Sequence, residues 1–217
     1  LFHARCQTDE IDPSPPAGRA GDNVHAVLPQ PRGLQNVARG IDLFDGICRQ
    51  RHADRIADAE AEYANMEDIN KQLKESFGRL GEWIPGLKQP SFYAQIGALD
   101  QSIVIGEHSV GISLDKYMGA EYPLYKTFYN AQQRKTITRS YIVPDCLTFY
   151  LLSIYPMDDF DNRPQLDRDL HMGKIMWAVN KAMCKEVFTT NYVKTINDFV
   201  KRNPKITVRQ LLEDEDY

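Results

Sequence analysis

The chain has 217 residues, 42% of them hydrophobic and 26% charged, ordinary values for one globular domain with a tail. Lys and Arg total 26 against 30 Asp and Glu, a formal net charge of −4, so there is no basic excess to gather phosphates and nucleic acid is not an expected partner. No run approaches the ~20 apolar residues a bilayer-spanning helix needs, and no polybasic stretch suits a membrane surface.

Residues 1–35 are rich in Pro, Gly and charge, and they bury too little apolar surface to offset chain entropy. They are expected to form a flexible N-terminal tether. Within it, Cys6 followed by Gln7-Thr8-Asp9-Glu10 has the layout of the lipidated cysteine of a mature bacterial lipoprotein. Arg5 stands where the cleavage box usually has a small residue, so a plain N-terminus with an incidental cysteine is the alternative. Residues 36–217 are expected to form a single domain, with order beginning near Ile41-Asp42-Leu43-Phe44.

From Asp54, apolar residues recur every three or four positions: Ile56, Ala59, Tyr63, Met66, Ile69, Leu73, Phe77 and Leu80. The spacing predicts one core-facing helix of more than six turns, ended by Gly81 and Pro85-Gly86. Short strands are predicted at 91–96, 101–105 and 110–114, the last two joined by a turn at Gly106-Glu107-His108. An antiparallel hairpin beside the first strand is the expected sheet. A helix opening at Ser140 or Asp145 and stopped by Pro156 is apolar all round through Leu152, and therefore expected to be buried. Further helices are predicted at 167–187, 192–201 and 208–212. The fold class is α+β, a mostly helical domain with a small, largely antiparallel sheet.

The familiar catalytic patterns are absent. The five histidines (His3, His25, His52, His108 and His171) include no pair four apart, so no H-E-x-x-H places two imidazoles and a carboxylate on one helix face. There is no G-x-S-x-G elbow, and Gly173-Lys174 lacks the rest of a phosphate loop. Asp158 to Asp169 does not supply the alternating ligands of a calcium loop. Cys6, Cys48, Cys146 and Cys184 form no C-x-x-C pair, and the last three sit among apolar residues where they are expected to fill core space. No cofactor, metal or catalytic residue is expected.

Four stretches in order resemble the gliding-motility lipoprotein family GldB. They are Ile41-Asp42-Leu43-Phe44; Gly111 to Gly119, with Leu114-Asp115-Lys116-Tyr117-Met118-Gly119 at its centre and Tyr122-Pro123-Leu124-Tyr125 after it; Tyr141-Ile142-Val143-Pro144-Asp145; and Met172-Gly173-Lys174-Ile175-Met176-Trp177. The resemblance covers roughly residues 40–190. It implies a zincin-like layout similar to gluzincin peptidases, in which the helix after the I-V-P block carries H-E-x-x-H and a later helix supplies a Glu. Here Cys146 to Ser153 holds neither His nor Glu, and Met172 stands where the family usually has Glu.

The resemblance further implies a cell-envelope lipoprotein of gram-negative bacteria, anchored through Cys6, whose partners are other envelope, motility or secretion proteins. On this reading the protein is a non-catalytic scaffold, and Asp115, Tyr117, Asp145, His171, Gly173 and Lys174 are the candidate cleft residues. Structural roles are the alternative for each: Asp145 capping a helix, Asp115 ending a strand, Gly173 permitting close helix packing and Lys174 pairing with a carboxylate. Two other functions stay open: a hydrolase in which His171, Asp145, Asp115 and Lys174 converge, and a peptide- or glycan-binding cleft lined by Trp177, Tyr150 and Phe149.

Overall fold

The computed structural model describes residues 53–97, 99 and 101–214. The expected tether, its Cys6, the Ile41–Phe44 block and Cys48 lie outside them.

The chain enters through α1 (53–62) and continues, after a turn at 63–66, into α2 (Glu67–Trp83). One long helix was expected here, because the apolar stripe stays in phase across the break. Ala59, Tyr63, Ile69, Leu73, Phe77 and Leu80 are indeed all buried. What stops the helix is polar. Asn65 Oδ1 accepts from Glu67 N–H at 2.8 Å, offering the backbone a turn in place of another helical bond. The guanidinium of Arg139 then closes over the gap, donating to the Glu62 and Asn65 carbonyls at 3.2 and 2.6 Å and gripping Asp68 through two bonds of 3.2 and 2.6 Å. The Arg139–Asp68 ion pair holds the Asp68 carboxyl below its ordinary range. Gly81 does not end α2, which runs on to Trp83 before Pro85-Gly86.

Three strands follow: β1 (Ser91–Gln95), β2 (Ile103–Ile105) and β3 (Ser109–Ser113). The hairpin of β2 and β3 is antiparallel, as expected, with Ile103 opposite Ile112. The first strand, however, pairs with β3 in parallel, Ser91 opposite Ser109 through Gln95 opposite Ser113, so the sheet is mixed with order β1-β3-β2. Local turn chemistry specifies only the hairpin, since β1 is separated from its partner by the whole of β2.

Beyond the sheet come a 3-10 turn (Leu114–Lys116) and two short helices, α3 (Tyr125–Phe128) and α4 (Ala131–Arg134). The longer helices are α5 (Ile142–Ile154), α6 (Gln165–Met183) and α7 (Asn191–Arg202), and α8 (Val208–Glu213) closes the described fold. The centre of the core is α5. It packs on β2, β3, α2 and α6, and buries Ile142, Val143, Cys146, Leu147 and Leu151. Each such aliphatic side chain contributes about 1.5–3 kcal/mol relative to exposure. The helix is not buried all round, because Phe149 and Ile154 remain substantially exposed. Arg79 of α2 donates to the Ala182 carbonyl in the last turn of α6, satisfying a carbonyl that the helix itself leaves open.

The cysteines divide. Cys146 is fully buried, and burial pushes its thiol well above the usual range, as suits a small core hydrophobe. The expectation fails for Cys184, which is exposed at the C-terminus of α6 in a left-handed conformation with φ of 52°. A helix end needs that conformation to bond its last carbonyls, and the residue there turns outward.

Candidate functional site

The Leu114-to-Gly119 block leaves the sheet as a tight turn and drops into the core. Asp115 is fully buried. Its Oδ1 accepts from Gly97 N–H at 2.8 Å and its Oδ2 from Arg55 at 3.1 Å, while Arg55 also reaches the Gly97 carbonyl at 3.3 Å. One carboxylate thus joins α1, the end of β1 and the turn. A charge this deep is stable only when paired and hydrogen-bonded, and both conditions are met.

Tyrosines fasten the rest of the turn. Tyr63, the first residue of the turn after α1, donates to the Tyr117 carbonyl at 2.5 Å. Tyr125 donates to the Asp115 carbonyl, and its hydroxyl oxygen accepts from Met118 N–H at 3.0 Å. Tyr122 donates to Asp58 of α1 at 2.7 Å, and its phenol is pushed up to about 12, first by burial and then by that carboxylate. The Tyr125 ring meets Tyr122 and Tyr129 edge-on, with centroids 5.1 and 5.6 Å away. Lys116, also buried, donates to the Leu99 carbonyl at 2.5 Å and to the Tyr129 hydroxyl at 2.6 Å.

Tyr117 and Asp145 meet. The buried phenol of Tyr117 donates to Asp145 Oδ2 at 2.8 Å. Burial pushes the Asp145 carboxyl up to about 6, and the tyrosine hydrogen bond pulls partly against it. Asp145 lies in the first turn of α5 but does not cap it, since the N-cap position is Tyr141 and no side chain caps there. The carboxylate is turned instead toward the sheet-exit turn, which a sequence reading of a helix start has no means to see.

The α6 candidates serve other contacts. Gly173 sits where a Cβ would lie 2.9 Å from Tyr192 Cβ and 3.1 Å from its backbone carbon, so the absent side chain is what lets α6 and α7 approach. Lys174 is buried and donates to the Asp214 carbonyl at 2.7 Å, fixing the end of α8. His171 is buried one turn earlier on the same helix. Tyr117 and Asp145 therefore bond each other at the sheet exit, Asp115 in the same turn is bonded separately to Arg55 and Gly97, and Gly173 and Lys174 hold α7 and α8.

The aromatic trio of the third reading is divided. Tyr150 packs edge-on against Phe77, donates to the Lys88 carbonyl and lines a cavity of about 790 Å³ beside Tyr155 and Arg209. Trp177 lines a different cavity of about 400 Å³ between α6 and α7, and Phe149 faces outward. Residues that sequence reasoning missed are Arg55, Arg139 and Tyr63. Their partners lie dozens of positions away, and only the alternation of Tyr63 with core residues marked any of them.

The positions that the resemblance alone marks for a metal carry side chains that do not suit one. Along α5, Cys146 to Ser153 offers no imidazole or carboxylate, and Met172 brings a thioether in place of an acid. Among the described residues no three His, Cys, Asp or Glu side chains are grouped so as to hold a metal ion. No described helix is long and apolar enough to cross a membrane.

Comparison with known proteins gives one match. No curated protein and no solved structure is similar at a significant level. The family model described as gliding motility protein GldB matches residues 36–191, a span that takes in α1 through α6, the whole sheet and the sheet-exit turn. The chain belongs to the GldB gliding motility protein family.

Proposed function

We propose that this chain is a cell-envelope lipoprotein, anchored through Cys6, that acts as a non-catalytic scaffold for other motility or secretion proteins. The observation that supports it is how the polar residues of the family blocks are used. Asp115, Tyr117 and Lys174 are buried and Asp145 half-buried, and each is bonded to a distant part of the fold. Groups held this way brace a shape; a catalytic acid or base instead needs reach to a substrate atom in a concave pocket. The zincin-like layout is, on this reading, a retained frame, since a fold does not fix a function.

Metal analysis of the purified full chain, paired with complementation of a gliding strain lacking its own family member, tests the proposal. The expected result is no stoichiometric metal and full motility from a variant carrying Met172→Leu, which keeps the packing and removes the sulfur. Stoichiometric zinc would overturn the non-catalytic reading. Labelled palmitate incorporation, abolished by Cys6→Ala, tests the anchor separately.

A further inference from the structure

The cavity between α6 and α7 carries more basic than acidic side chains. The chain carries a formal net charge of −4, yet Lys181, Lys185 and Lys194 line this cavity against a single acid, Glu186. Its wall is built and fastened. Asn180 accepts from the Val187 and Phe188 N–H groups, both at 2.9 Å, and donates to the Phe188 carbonyl at 2.7 Å, so the loop after α6 is stapled to the helix it leaves. At the floor, Trp177 Nε1 donates to Asn197 Oδ1 at 3.2 Å, which joins α6 to α7. The Lys181 ammonium lies 5.4 Å from the indole centroid, held over the ring by cation–π attraction. About 400 Å³ suits a small polar molecule, and an aromatic wall with a few polar and basic side chains around it is the make-up of a ligand site.

We infer that this cavity binds a phosphate ester, its phosphate between Lys181, Lys185 and Lys194 and its small organic body against Trp177. Three ammoniums at the rim supply charge-assisted hydrogen bonds to phosphate oxygens. Lys181 and Lys194 stand on α6 and α7 and Lys185 on the stapled loop, so the backbone that carries them is already ordered before binding. Neither the family assignment nor the scaffold role assigns this site, and the inference stands whether or not that role is correct.

The ligand chemistry has two sources, a free phosphate ester or a phospholipid headgroup. The chain has two tryptophans, Trp83 and Trp177, so an amide-correlation NMR spectrum of the full, unacylated chain shows one indole signal in the cavity and one control. Titration with glycerol 3-phosphate is expected to shift the Trp177 indole saturably and leave Trp83 in place. The double variant Lys181→Ala/Lys194→Ala should weaken binding by at least about tenfold. Lys71→Ala/Lys74→Ala, the same charge change on α2, should leave it intact. Co-sedimentation with phosphatidylglycerol vesicles but not phosphatidylcholine vesicles, lost in the first variant, assigns the headgroup. Binding of glycerol 3-phosphate without co-sedimentation assigns a free ester. No saturable shift at millimolar ligand, or equal weakening by both double variants, overturns the inference.

Discussion

Gly173→Ala probes the close approach of α6 and α7. The added Cβ would stand 2.9 Å from Tyr192 Cβ, 3.1 Å from its backbone carbon and 3.3 Å from its carbonyl oxygen. Two of those three atoms are backbone and cannot swing aside, so α6 and α7 must separate. Overpacking of this kind costs about 1–3 kcal/mol. Alanine recovers about 0.8–1.0 kcal/mol over glycine in a helix interior. With the clash on backbone, the net loss should be about 1–2 kcal/mol, or a Tm fall of about 2–8 °C for a domain of this size. Gly78 and Gly81 of α2 provide the contrast, because a Cβ at either meets nothing within 4 Å. Changing each to Ala should raise stability by about 0.5–1 kcal/mol. Differential scanning calorimetry of the three variants decides the matter. If Gly173→Ala melts at or above the parent while the α2 variants rise, the tight α6–α7 approach is not what requires glycine there.

Asp115→Asn keeps the shape but removes the charge facing Arg55. The loss in urea denaturation should be about 2–3 kcal/mol, below the range for a fully enclosed pair because the Arg55 side chain remains 15% exposed. Asp145 has a folded pKa near 6, above its ordinary 3.8, so its contribution is complete below about pH 4 and is lost as pH rises through 6. Asp145→Asn should therefore flatten the pH dependence of stability between those values, and an unchanged slope would refute the assignment. Arg139→Lys loses the fork that spans the α1–α2 break. It should cost about 1 kcal/mol, since the Asp68 partner is largely exposed, and should speed hydrogen exchange selectively in residues 53–62.

Periodicity left out the short α3 and α4 and ran α6 on to 187 instead of Met183, but it located α5, α7 and α8 closely, because burial of one stripe dictates where apolar side chains recur. It misjudged the long N-terminal helix for the same reason. A break of four residues preserves the phase of the stripe, so Tyr63 and Ile69 read as one surface although Asn65 and Arg139 interrupt the backbone between them. The hairpin was legible in Gly106-Glu107-His108, whereas the parallel partner of β1 was not, as no local signal records a pairing across an intervening strand. At the site, Gly173 was read as a candidate cleft residue with close helix packing as the alternative, and the approach of Tyr192 to its missing Cβ favours the packing. Asp145 read as a candidate cleft residue with a helix cap as the alternative, and only the fold reveals that Tyr117 donates to it. Cys184 read as core from its apolar neighbours, yet the backbone conformation that ends α6 turns it outward.

The attachment of α1 has a mechanical consequence. Besides the buried Ala59, the helix and the turn after it are held by the Arg55–Asp115 ion pair, the Asp58–Tyr122 and Tyr63–Tyr117 hydrogen bonds and the Arg139 clasp on the Glu62 and Asn65 carbonyls. Any pull delivered through the chain preceding residue 53 reaches these bonds before it reaches the hydrophobic core. Polar contacts are short-ranged and give way over small displacements, and the turn at 63–66 separates α1 from α2 as a unit able to open alone. Under such a load α1 would peel away first, as a fuse, while the sheet and the remaining helices keep their shape.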